Sequence, residues 1–431
     1  MLKRVAIGLI AILAVGVIGL GVIAWRPSLK PIQPPAPSSF APELVERGRV
    51  LASAGNCSSC HTAKGGAAYA GGYPMRTQFG TIYSTNITPD AKTGVGTWSE
   101  AAFARALREG VARNGSHLFP ALPYTHFTKL SDGDVSALYA YVMTRAPVSA
   151  PAKANTVPFP LNVRALQAGW KLLFFRAGRF EPRADKSAEW NRGAYLVAAV
   201  GHCGACHTPR NVLGAEKTGR TFAGAMIDGW IAPPLTAADP SPAPWDKAEL
   251  VAYLTEGVSR YHGTAAGPMA PVARGLAALP AADIQAMAVY LTDVNGAATR
   301  AASLAPALRK AAAADRAGGG LQYDADARLY AAACGACHYN GAAGPNPLRP
   351  DLALNSALNL DDPTNLVRVV LDGIDAEDGA PGVVMPAFSR LSDADVARLA
   401  AYLRATRTDK PAWPDLEKKI AAIRSEDTAQ P

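Results

Sequence analysis

All six cysteines of this chain fall in three copies of one pattern. The sequence reads Cys57-Ser-Ser-Cys60-His61, Cys203-Gly-Ala-Cys206-His207 and Cys334-Gly-Ala-Cys337-His338. Each is C-x-x-C-H, the attachment signature of a c-type haem. Two thiols one helical turn apart can each form a thioether with a vinyl group of one porphyrin, and the adjacent histidine then lies under the iron as proximal ligand. Chance would supply roughly 0.001 such matches at this composition, so three are not accidental. Structural zinc is a poorer reading, because paired knuckles would be needed and the motifs stand 146 and 131 residues apart, odd in number. A thioredoxin-like dithiol would not need the histidine and would sit in a βαβ pattern, which is absent. Three covalent haem c groups are therefore expected, with His61, His207 and His338 as proximal ligands.

Distal ligands are sought in the internal repeat. Each motif is followed by a helix-like stretch ending in acidic-Gly-aliphatic: Glu109-Gly110-Val111, Glu256-Gly257-Val258 and Asp372-Gly373-Ile374. Twelve residues after the second and third of these glycines stand Met269 and Met385, whose thioethers suit haem iron and raise its potential. The same offset in the first copy lands on Leu122, which cannot ligate iron. His126, one turn on, is the expected substitute; His117, Met75, Met143 or an open iron are the alternatives.

A further shared helix runs from Leu130 to Tyr141, Leu279 to Tyr290 and Leu391 to Tyr402. Ser131/Asp134 and Ser392/Asp395 form S-x-x-D capping signals. Aliphatic and tyrosine positions at helical spacing mark one buried face. The expected fold is all-α: three tandem class I cytochrome c domains at 43–146, 188–298 and 321–408, each with haem supplying much of a small core. Linkers are expected at 147–187, with a possible interfacial helix in Ala165 to Phe180, and at 299–320; a polar tail fills 409–431.

Val5 to Trp25 contains no charged residue and would span ~30 Å as a helix. Lys3 and Arg4 precede it and orient residues 1–26 as an uncleaved transmembrane anchor with the rest of the chain outside the cytoplasm. A cleaved signal peptide is the competing reading. Residues 27–42, with six prolines, read as a stiff spacer. The apolar fraction of 49% excludes wholesale disorder, and a net charge of +8 over 431 residues is no nucleic-acid footprint.

From about Phe40 to Ala405 the chain resembles the membrane-bound tri-haem cytochrome c subunit of bacterial periplasmic alcohol, gluconate and aldehyde dehydrogenase complexes. The likeness rests on the three motifs, on Phe79-Gly-Thr-Ile-Tyr-Ser-Thr-Asn-Ile-Thr-Pro-Asp90, and on Gly201-His-Cys-Gly-Ala-Cys-His-Thr-Pro-Arg210. In the alcohol-dehydrogenase branch a Met occupies the place of Leu122, so this chain looks closer to the branch paired with molybdenum-containing aldehyde or N-heterocycle dehydrogenases. The resemblance implies a non-catalytic electron-transfer subunit at the bacterial inner membrane. It would take electrons from a catalytic dehydrogenase subunit (molybdenum cofactor/iron-sulfur or quinoprotein type) and pass them to the quinone pool or a terminal oxidase. The rival class is a haem enzyme of peroxidase or oxidase type, reacting at an open first haem with His117 or His126 as base.

Overall fold

The computed structural model describes residues 3–5, 16, 19–317, 324–338, 349–375 and 384–428. Helices dominate, and among the described residues the only ladders longer than one bridge are three two-stranded antiparallel ribbons. Two of these ribbons follow attachment motifs: β1 (Pro74–Thr77) with β2 (Gly80–Tyr83), and β3 (Ala225–Ile227) with β4 (Trp230–Ala232). They are four and three residues per strand, too short for alternation to be read in the sequence. Among the described residues no helix is long and apolar enough to cross a membrane. Most of the expected anchor lies outside the described residues.

The chain divides into two compact units. The first comprises Met1–Ala184, Tyr195–Ala205 and Arg210–Glu216; the second comprises Asp185–Ala194, Cys206–Pro209 and Lys217–Pro431. The three sequence repeats therefore do not map one to one onto compact units.

In the first unit α1 (Pro42–Ala54) crosses α3 (Asp132–Met143), with α2 (Glu100–Glu109) alongside. The crossing is tight because Gly48 has no side chain: a Cβ there would lie 1.9 Å from the Ala137 carbonyl oxygen. The cap expected at Ser131 forms, its Oγ accepting from Asp134 N at 3.1 Å. Gly110, in the acidic-Gly-aliphatic signal, takes φ 61° and ends α2 as a left-handed C-cap. Helix α4 (Leu166–Phe174) is the observed core of the segment expected as an interfacial helix.

The second unit repeats these devices. Between α5 (Ala188–Tyr195) and α8 (Ala281–Val294), Gly193 meets the Ala286 carbonyl at the same 1.9 Å. One more residue separates Gly193 from Cys203 than separates Gly48 from Cys57, and the π-helical turn Leu196–Val200 absorbs it. A second π turn, Ala331–Gly335, precedes Cys337. Helices α6 (Lys247–Glu256) and α7 (Met269–Leu276) lie against one another. The recurring tyrosines share one task at the helix crossings: Tyr141 meets Tyr69 edge-on, Tyr290 meets Trp190 edge-on, and Tyr402 meets Tyr330 at a tilt.

Two expectations are corrected here. The 299–320 linker contains α9 (Leu304–Ala317), whose Ala311 is buried with Ala353 and Leu354. The polar tail is not a tail: after α10 (Ala325–Tyr330), α11 (Thr364–Asp372) and α12 (Asp393–Arg407), residues Leu416–Thr428 form α13. Its Ile420 and Ile423 enter a core with Val367, Leu371 and Val396. Trp413 joins the neighbouring core, donating from Nε1 to Leu360 O at 3.1 Å beneath the Arg404 guanidinium. Two isoleucines among many charges give a weak apolar signal, and only packing against α11 and α12 reveals their common face.

Candidate haem sites

Each attachment histidine is held in the same way. His61 Nδ1 lies 2.7 Å from Thr85 O, His207 Nδ1 2.7 Å from Pro233 O, and His338 Nδ1 3.3 Å from Pro350 O. A proton on Nδ1 donated to a carbonyl leaves the Nε2 lone pair for a metal and fixes the ring. Burial also holds His61 and His207 below the usual histidine range, and the Thr85 and Pro233 carbonyls oppose that only in part. Neutral imidazole is the form that ligates iron.

The acceptors were missed in the sequence because their separations from the histidine differ, at 24, 26 and 12 residues. A weak common signal exists, with Ile87-Thr88, Leu235-Thr236 and Leu352-Ala353 each beginning two residues after the acceptor.

The cysteines suit thioether formation. Cys57–Cys60 is a single helical turn, and Cys206 and His207 lie in the turn Gly204–His207. None of the six is in a disulfide. Burial pushes the Cys57 thiol up to about 12, so before attachment it is a neutral thiol; in the mature protein it stands for a thioether sulfur. At the third site Cys334 opens onto a narrow apolar cleft lined by Leu366, Val370, Val396, Leu399 and Leu403 among others. That apolar lining, beside an attachment sulfur, has the chemistry that packs against a porphyrin face. Haem bound at such sites supplies reversible one-electron chemistry.

The distal candidates are placed unequally. Met269 opens α7 on the turn Gly267-Pro268, and Gly267 packs so closely on Trp230 that a Cβ would lie 2.4 Å from the indole. Met385 instead pairs with Ile374, exchanging backbone hydrogen bonds of 2.9 and 3.0 Å. The corresponding pairings are Val111 with His117 and Val258 with Thr264. Relative to this pairing Met269 stands five residues later than Met385, so the shared twelve-residue offset is not a shared structural position.

The distal ligation expected of His126 meets a ring already engaged at both nitrogens. His126 is buried, with Nδ1 3.0 Å from Ala198 O and Nε2 2.9 and 3.1 Å from the two Glu216 carboxylate oxygens. His117 is engaged likewise, Nε2 3.0 Å from Ala24 O and Nδ1 3.0 Å from Lys171 Nζ. Burial alone would raise the Glu216 carboxyl; the His126 hydrogen bond and the charges of His126, Arg210 and Lys129 bring it below its ordinary value.

His126→Ala is accordingly expected to leave every haem spectrum unchanged and to destabilise the first unit by about 1–2 kcal/mol, because Glu216 loses its partner. A group with a depressed folded pKa contributes above its unfolded value, here 4.5, and loses that contribution as pH falls through the folded value. The deficit of the variant should thus be largest above pH 4.5 and shrink in acid. Denaturant titrations across pH check the stability. Appearance of one high-spin, carbon-monoxide-binding haem would reinstate His126 as a ligand.

These turns, capped histidines and apolar slot define c-type cytochrome domains. Sequence comparison agrees: residues 45–146 match the cytochrome c family, and residues 322–403 match the family described as cytochrome c oxidase, cbb3-type, subunit III. Over 409 residues the chain is 37% identical to the gluconate 2-dehydrogenase cytochrome c subunit of Pantoea cypripedii, covering 90% of this chain and 91% of that one. Over 395 residues it is 37% identical to the fructose dehydrogenase cytochrome subunit of Gluconobacter japonicus, covering 86% and 80%. It is 48% identical over 421 residues to a nicotinate dehydrogenase subunit of Pseudomonas putida, covering 95% of this chain but 35% of that protein. The chain thus spans about a third of that last relative's length. It belongs to the family of cytochrome c subunits of dehydrogenases, carries covalent haem c, and transfers electrons rather than turning over a substrate.

Proposed function

We propose that the chain is the tri-haem subunit of a membrane-bound periplasmic dehydrogenase, organised as cytochrome c domains at 43–146, 188–298 and 321–408, the last completed by the helix Leu416–Thr428. Its catalytic partner is a molybdenum-containing dehydrogenase of an aldehyde or N-heterocycle, and its electrons leave to the quinone pool or a terminal oxidase. Cys57/Cys60, Cys203/Cys206 and Cys334/Cys337 hold the haems, His61, His207 and His338 ligate from the proximal side, and Met269 and Met385 complete the second and third irons. The observation that carries this reading is the recurrence of one histidine–carbonyl device at three attachment motifs.

The anchored periplasmic placement draws support from the first unit. The helix end at Ala24 receives His117, and a Cβ on Gly169 of α4 would touch Leu20. Beside it Val22, Trp25, Leu172 and Leu173 are all more than half exposed. Lys171 fastens α4 to the carbonyls ending α2, at 2.5 Å from Glu109 O and 2.8 Å from Gly110 O, where the helix dipole favours a cation. An apolar rim of this kind suits a bilayer surface next to a spanning helix.

One preparation tests the whole reading. The full chain purified from membranes should bring down a molybdenum-containing subunit and hold three haems. The same chain lacking residues 1–26, exported by another signal, should be soluble and still hold three. A truncation that stays in the membrane, or a full chain with fewer than three haems, overturns the corresponding part.

A further inference from the structure

We propose that His202 is a positioning residue that fixes the spacing between the first two haem-attachment sites, making haems one and two a closely coupled pair. The inference rests on the reading of both motifs as haem attachments. Its origin is a contact within the first unit that ligation does not require. His202 directly precedes Cys203, and its Nε2 lies 3.2 Å from the carbonyl oxygen of Gly55, two residues before Cys57. One side chain therefore joins the backbones that carry the first cysteine of each motif.

The surroundings hold that side chain in place. The Phe127 ring meets the imidazole edge-on at 5.3 Å. Burial, assisted by neighbouring His126, pushes His202 down to about 4, so the ring is neutral and keeps one N–H to donate to Gly55 O. The two segments come into van der Waals range at Gly55: a Cβ there would lie 3.4 Å from Val200 O and 3.7 Å from Cys57 Sγ. Val200, three residues before Cys203, thus has its carbonyl beside Gly55 in the same approach of the two segments.

The backbone shows the same arrangement from another side. His202 has φ 38° and Asn56, its counterpart before Cys57, has φ 52°. Asparagine and histidine both enter the left-handed region more readily than most residues, so the two positions share one backbone conformation. At Asn56 the side chain works locally, accepting from Ser59 Oγ at 2.6 Å; at His202 it reaches across to the other motif. Electron transfer between haems falls steeply with their separation, so a bridge that sets this spacing governs the rate of the hop.

The test uses the full-length holoprotein. His202→Asn keeps a residue suited to the left-handed backbone, as Asn56 is, but is too short to reach Gly55. His202→Gln returns an N–H donor at nearly the original reach. Haem content, the potentials of all three haems, and electron equilibration between the first two after photochemical reduction are measured together. The expected result for His202→Asn is three haems, unmoved potentials and a hop slowed tenfold or more, restored to within threefold by His202→Gln. An equilibration rate within twofold of the parent in His202→Asn overturns the proposal. If His202→Asn does not mature with three haems, Phe127→Leu, outside both motifs, removes the ring that holds the imidazole. It should slow the hop at least threefold, and an unchanged rate there also overturns the proposal. Fewer than three haems in the parent protein would instead overturn the three-haem reading.

Discussion

Replacing Met269 or Met385 with leucine is expected to remove the methionine–iron absorption band of one haem and to lower its potential by about 0.1–0.3 V, a fraction of the roughly 0.8 V that axial ligands span. Haem content should stay at three, because the thioethers and proximal histidines are untouched. The thioether accepts electron density from ferrous iron, so its loss favours the ferric state. Leucine keeps the apolar volume, which separates ligation from packing. The two positions are not equivalent. Met269 begins a helix behind the Trp230 shelf, whereas the Met385 backbone is pinned to Ile374 on both sides. Spectra and potentiometric titration of each variant read the outcome separately. A variant with an unchanged band and potential would show that its methionine only fills space.

Ending the chain at Thr408, where the sequence reading closes the third domain, should unfold the third site. The truncation removes Trp413, Ile420 and Ile423, each at most 5% exposed, from the cores that also line the cleft beside Cys334. At about 2–5 kcal/mol for each large apolar side chain lost, the deficit is on the order of 6–15 kcal/mol, as large as the stability of a typical domain. It also strips Arg404 of the Trp413 ring and leaves Val367 and Val396 facing water. The measurement is haem content together with thermal unfolding, with the first and second haems serving as internal controls. Three haems and an unchanged unfolding profile in the truncated chain would show that α13 is dispensable.

The features legible in the sequence are those set by covalent neighbours. C-x-x-C-H states its chemistry at a five-residue scale, since the thioethers and the proximal ligand come from one turn of chain. The Ser131 and Ser392 caps and the glycine ending α2 are equally local, and all three are found where the sequence places them. The recurring tyrosines could be counted but not assigned, because their partners Tyr69, Trp190 and Tyr330 lie 72, 100 and 72 residues away along the chain.

What only the tertiary structure decided concerns groups whose partners are remote in sequence. His126 is drawn to Glu216, 90 residues on, because a buried imidazole and a half-buried carboxylate each need a partner. Spacing from Gly110 alone could not anticipate that competition with iron. The carbonyls that orient His61, His207 and His338 are backbone atoms, so no side-chain motif advertises them, and loops of different length intervene. The helix at Leu416–Thr428 looked like solvated tail because its apolar face is only as wide as the groove between α11 and α12 requires. Sequence alone determined that this protein binds haem c at three motifs, since that chemistry is written in adjacent residues. The packing of distant segments decided which partners His126 and His117 take, where the backbone of each methionine stands and that the residues after Thr408 join a core.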